Sequence, residues 1–200
     1  MDFHFSRVSC RFALVLLFTV MFVKGTRAQE NLIPAGSIWR WRPGTAEASN
    51  PTDAWRAREF DDAAWESAPA PFHYGTNARG GDDTILTGTI LSNMRSNYTS
   101  IFLRGTFVLA NPAEVETVQW VAQYDDGFVA YINGSPVATR NFSGAAVWNS
   151  GANTSHDDSL ARVFESIDIS EHIDKLKMGQ NILAIQGLNY LAGSTDFLIS

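Results

Sequence analysis

The chain has 200 residues, 21 acidic against 15 basic side chains, one cysteine and 45% hydrophobic residues. Its formal charge of −6 at pH 7 argues against nucleic acid and anionic membrane as partners, because both reward a basic face. Cys10 alone can form no internal disulfide, so a packed core must hold the fold together.

Arg7 and Arg11 precede the apolar run 12–23, and Thr26 and Ala28 supply small residues just beyond it. The run is shorter than the ~20 apolar residues a membrane span needs. This pattern predicts a secretory signal at 1–28, cut after Ala28, and a protein that is secreted or held at the cell surface. Cys10 leaves with the signal. The remaining residues 29–200 have the size of one domain and carry 11 basic and 20 acidic side chains, a formal charge of −9. A chain of that length buries roughly 70% of the surface it exposes when unfolded.

Along this domain, residues 37–42 alternate as a first strand, closed by Pro43-Gly44. A polar loop follows, then the Trp55 to Phe60 stretch, a turn at Asp61-Asp62, and Trp65. Residues 69–75 contain two prolines and read as an extended edge segment, because proline cannot donate to a ladder. Residues 77–83 form a Gly/Asp-rich loop. Strands are predicted at 85–91, 100–109, 115–124, 161–169, 181–190 and 196–199, with one short helix at 170–178 capped by Ser170 and stopped by Gly179. At the centre, Tyr124-Asp125-Asp126-Gly127 and Asn133-Gly134 are turn sequences flanking an apolar run, and Asn-Gly is the preferred pair for a two-residue hairpin loop. Together these elements predict an all-β sandwich or jelly roll of about eight or more antiparallel strands. The last predicted strand still runs where the sequence stops, which suggests the N-terminal part of a longer protein.

Six stretches carry a family resemblance: Phe-Asp-Asp-Ala-Ala-Trp at 60–65, Ala-Pro-Phe-His-Tyr-Gly at 70–75, the 124–134 meander, Ile-Asp-Ile-Ser at 167–170, Gly-Gln-Asn-Ile-Leu-Ala-Ile-Gln-Gly-Leu-Asn at 179–189, and Thr-Asp-Phe-Leu-Ile at 195–199. In this order they resemble the galactose-binding-like jelly-roll β-sandwich. The variant is similar to modules that accompany lamin-tail and spore-coat-kinase-like domains in large secreted bacterial proteins, and to the sugar-binding domain of family 2 glycoside hydrolases. The resemblance implies glycan binding, a spacer role or packing on a catalytic neighbour. It brings no catalytic motif.

The residues give the same division between scaffold and site. Asp61 and Asp62 suit turn capping while Phe60 and Trp65 close over the core. Asp125 and Asp126 are turn formers. His73, His156 and His172 show no metal-ligand spacing, no nucleophile elbow or phosphate-cradling loop occurs, and the His156-Asp157-Asp158 cluster falls short of a coordination shell. Nothing predicts an enzyme. The cofactor expectation is Ca2+ assembled from separate loops, as in relatives of the fold, with Asp82, Asp83 and Asp196 as donors.

Trp39, Trp41, Trp65 and Trp120 are expected in the core. Trp148 sits in the polar 141–158 loop and is the candidate platform for a neutral sugar ring, with Arg140, Asn149 and Asn153 as hydrogen-bonding neighbours and Tyr74 flanking a second loop. The functional expectation is a non-catalytic carbohydrate-binding or cell-surface attachment module. The alternatives are a structural spacer or docking domain in a multidomain secreted protein and an accessory domain of a glycoside hydrolase.

Overall fold

The computed structural model describes residues 20–24, 30–75 and 87–200. Within them three sheets build a β-sandwich. The central sheet has six strands in the order β11-β10-β13-β7-β3-β4, all antiparallel, where β3 is Ile38–Pro43, β4 Glu66–Pro69, β7 Ser100–Leu109, β10 Gly127–Ile132, β11 Ser135–Arg140 and β13 Gly179–Leu188. Two four-stranded sheets oppose it. One runs β12-β8-β1-β2, from β1 (Val20–Lys24), β2 (Glu30–Ile33), β8 (Thr117–Ala122) and β12 (Glu165–Asp168). The other runs β6-β5-β14-β9, from β5 (Phe72–Tyr74), β6 (Thr89–Ile90), β9 (Tyr124–Asp125) and β14 (Phe197–Ile199), and holds the parallel pair β5–β6.

The signal assignment at 1–28 falls mostly outside the described residues. Its residues 20–24 form β1, between β2 and β8.

Period-two alternation decides which side chains meet. Ile101, Leu103, Phe107 and Leu109 of β7, Phe128, Ala130 and Ile132 of β10, and Leu183 and Ile185 of β13 point toward the two smaller sheets. There they meet Trp120, Phe72, Phe197 and Ile199 in one continuous core. Removing each such side chain from water contributes about 1.5–3 kcal/mol. Trp120 and Tyr124 each meet Phe128 edge-on, with ring centroids 4.8 and 5.0 Å apart. Gly105 interrupts the apolar series of β7 because the Trp39 ring crosses it. A Cβ there would stand 2.7 Å from that ring.

Several sequence expectations change. Phe72–Tyr74 is no edge: it is paired on both sides, by β6 and β14, and all three residues are buried. Both prolines precede this strand and leave its ladder intact, and Pro69 ends β4, which is an edge strand of the central sheet. The expected helix at 170–178 is a 3-10 segment, Ser170–Lys175. The Ser170 hydroxyl leaves the cap to accept from the Val118 amide at 2.9 Å, and the Asp168 carboxylate accepts from the Ser170 amide. The stretch at 161–164 belongs to the end of helix α1 (Asp158–Ala161) and the turn after it, so β12 is shorter than predicted.

Candidate functional site

Among the described residues, the opposite face of the six-stranded sheet is not covered by another sheet. Its side chains, Phe102, Val129, Tyr131, Ile182, Ala184 and Leu188, are covered by the 44–65 segment and the 141–158 loop. Trp55, 1% exposed, is the centre of this layer. Its ring meets Phe102 edge-on at 4.9 Å and Tyr131 at 5.8 Å, and stacks with Trp65 at 6.3 Å. The segment is fastened by Arg104, which rises from β7 with 2% exposure. Its guanidinium donates to the Trp55, Ala57 and Phe60 carbonyls and pairs with Asp62 at 2.7 Å. The capping role expected of the Asp-Asp pair is present, since the Asp61 carboxylate accepts from the Ala63 amide at 2.9 Å.

Where the two covering segments separate, a groove of about 520 Å³ opens on β10 and β11. Val129, Tyr131 and Thr139 contribute from the sheet, Phe142 and Ser143 from the loop, and Arg56 from the other segment. The Arg56 guanidinium lies over the Tyr131 ring, 4.3 Å from its centroid, and 5.6 Å from that of Trp55. Burial raises the Tyr131 hydroxyl above its usual range, and the nearby Arg56 charge opposes that shift. The phenol therefore stays neutral at physiological pH.

The sequence-predicted sugar contacts are dispersed. Trp148 is half-buried against the Trp55 cluster and is not among the residues lining the groove. Its carbonyl accepts from the Ser100 hydroxyl. Arg140 is committed to Glu165, with Nε 3.0 Å from Oε1. Tyr74 is a core residue, 6% exposed, whose hydroxyl donates to the Ser194 carbonyl and accepts from Asn189. Burial pushes its pKa up to about 12. Asn149 is exposed, and its carbonyl accepts from the Thr99 hydroxyl. Asn153 alone serves the groove, because its Oδ1 accepts from the Ser143 amide at 2.7 Å and fixes the loop that carries Phe142. Arg56, Tyr131 and Phe142 were missed. The usable signal was a second aromatic residue, Phe142, in the same loop as Trp148.

A second cluster lies at the loops joining β9, α1 and β14. One carboxylate oxygen from each of Asp125, Asp158 and Asp196 falls within 4.8 Å of the others, and Asp125 and Asp196 are buried. Three converging carboxylates, two of them desolvated, could hold a metal ion. Oxygen-only donors favour a hard cation. Asp196 thus belongs to a cluster as expected, but beside Asp125 and Asp158. Asp82 and Asp83 lie outside the described residues. Asp126, next in the chain, is used otherwise: its two oxygens accept from the His156 and Tyr190 amides and join the loops. His156 stacks flat on Tyr124 at 4.4 Å.

No family model and no curated protein matches the sequence. Among solved structures, the fold is similar to a β-glucuronidase from glycoside hydrolase family 2, at 15% identity and a TM-score of 0.42 over 84% of this chain and 14% of that one. A Bifidobacterium dentium β-glucuronidase complexed with coumarin-3-O-glucuronide matches at 14% identity and 0.44, over 86% of this chain and 20% of that one. A Bacteroides vulgatus β-glycosidase matches at 15% and 0.44, over 86% and 20%. The chain spans a fifth or less of the length of each.

Proposed function

We propose that this chain is a non-catalytic glycan-binding β-sandwich module of a secreted or cell-surface protein, and that the groove on the loop-covered face is its binding site. The groove itself carries this reading. A sugar ring presents apolar C–H faces and a rim of hydroxyls, and here a half-buried Phe142 stands beside the Thr139 and Ser143 hydroxyls in an open concavity. A shallow site of this kind binds weakly, since each polar contact replaces one with water. Ca2+ at Asp125, Asp158 and Asp196 would tie three loops together and brace one end of the sandwich without taking part in sugar contact.

A glycan array and polysaccharide pull-down on the purified chain, with and without Ca2+, test the reading. Binding that disappears in Phe142→Ala is the expected result. Loss in Trp148→Ala with Phe142→Ala unaffected would move the site along the same loop, toward Asn149 and Asn153. Absence of binding to every glycan would leave a spacer or docking role as the better reading. Ca2+ should raise the melting temperature of the parent chain and not of Asp196→Asn; equal response of both would discard the metal site. Cleavage after Ala28 would take β1 from its place between β2 and β8; mass spectrometry of the exported protein should begin at Gln29, and retention of residues 1–28 would overturn the proposed processing.

A further inference from the structure

The charge inside the groove narrows the ligand. Among the described residues none that lines it is a carboxylate, although the chain holds 21 acidic side chains. Two nitrogenous side chains line it, Arg56 and His172. His172 already has an acidic neighbour, with Nε2 3.3 Å from Glu171. Arg56 differs. Its Nε is buried without a hydrogen-bond partner, and its guanidinium lies over the Tyr131 ring and beside the Trp55 ring. Of the other arginines of this face, Arg104 and Arg40 pair with Asp62 and Arg58 with Glu59, while Arg42 lies over the Trp65 ring and donates to the Ala48 carbonyl, outside the groove. A guanidinium stacked by one face on an aromatic ring keeps the donors on its edge, in a planar fork that matches a carboxylate with two parallel hydrogen bonds. The ring also fixes the plane of the fork, so less side-chain freedom is lost when a ligand arrives.

We infer that the groove takes a saccharide bearing a carboxylate, a uronic acid, with Arg56 as the carboxylate-binding residue and Phe142 as the stacking surface. The inference rests on the glycan reading above and departs from the neutral sugar that overall charge suggests. Net charge acts at long range and is screened within about 8 Å at physiological salt, whereas a bidentate contact is made at hydrogen-bond distance. The acidic chain therefore disfavours long polyanions but not a single carboxylate seated on Arg56.

The test is calorimetric titration of the purified chain with galacturonate and glucuronate disaccharides, their methyl esters, and a glucose 6-sulfate probe. The acids should bind at least about tenfold more tightly than the esters, as a charge-assisted pair implies. Arg56→Gln should abolish that preference by weakening the acids far more than the esters, and Phe142→Ala should weaken acid and ester alike. Equal affinity for acid and ester in the parent chain would overturn the inference whether or not the variant folds, and would leave the glycan reading intact. So would binding of neutral glycans alone. Preference for the sulfate over the carboxylates would overturn the choice of carboxylate. Failure of every saccharide would sink the glycan reading itself.

Discussion

The two faces of the six-stranded sheet solve the same burial problem differently. Toward the smaller sheets, side chains from strands interdigitate with side chains from strands, and Phe72, Phe128, Ile101 and Phe197 are fully enclosed. Toward solvent, the cover consists of segments with little regular structure, held by a buried arginine and a Trp55-centred ring cluster. Strand-on-strand packing leaves no gap because both surfaces share a period. A loop cover has no period to match, and where its two pieces diverge it leaves a concavity. The difference puts the open concavity on the irregular side and the close-packed core on the regular one.

The sharpest way to break that division is within one strand. Phe128 and Val129 are adjacent in β10 and face opposite layers. Phe128→Ala should cost about 3–5 kcal/mol by chemical denaturation, the range for emptying an aromatic site in a rigid core. Val129→Ala should cost only about 1.5 kcal/mol, near the transfer value of the lost methyls, because its layer can settle. Equal costs would mean that the loop cover packs as rigidly as the sheets. Next in size, Arg104→Met should cost about 3 kcal/mol, because it leaves three carbonyls and Asp62 without their partner. Its signature should be a red shift in tryptophan emission as Trp55 and Trp65 are uncovered. A neutral result would show that the covering segment holds itself in place.

A smaller effect is expected at the turn between β10 and β11. Asn133 and Gly134 have φ of 50° and 93°, and Gly134 also lines the groove. A Cβ at Gly134 would find its nearest neighbour at 3.9 Å, so Gly134→Val pays in backbone strain alone, about 1–3 kcal/mol. Thermal melting at the parent temperature would contradict the left-handed geometry of this turn.

The smallest effect concerns the rim where the faces meet. Arg140 ends β11 in the large sheet and Glu165 opens β12 in an opposed one, and Tyr124 donates to the same carboxylate at 2.8 Å. Partial burial alone would raise the Glu165 pKa, but the hydrogen bonds from Arg140 and Tyr124 outweigh it and hold the carboxyl below its usual range. A depressed folded value stabilises the protein above the unfolded value of about 4.3 and loses that contribution as pH falls through the folded one. Melting temperature followed from pH 5 downward should therefore fall less steeply in Glu165→Gln than in the parent. Parallel curves would remove the bridge from the stability of the rim.

What could be read in advance follows the same division. The ladder at 100–109 and the 127–140 hairpin were legible because alternation and Asn-Gly chemistry are local signals. The outer cover was not, because Trp55 is buried by partners at 102 and 131 that no short window contains. The edge assignment for 72–74 failed for a related reason: proline marks a local loss of a donor, while the strand's two neighbours come from residues 89–90 and 197–199. The sandwich class emerged from repetition of local signals. The groove and the acidic cluster depend on which loops meet, so Arg56 and Phe142 gave no signal, Asp125 read as a turn former, and Asp158 read as part of a cluster too small for a coordination shell.

The longest ladder of the molecule has a consequence for its birth. β7 and β13 pair over ten residues each, in register from Ser100–Leu188 to Leu109–Gly179. Roughly 70 residues separate them, and that loop must close before the ladder forms. A chain made or threaded from its N-terminus cannot complete its middle until residue 188 has emerged. Its first half must wait without a finished sheet to settle into, with the apolar face of β7 uncovered until β13 arrives.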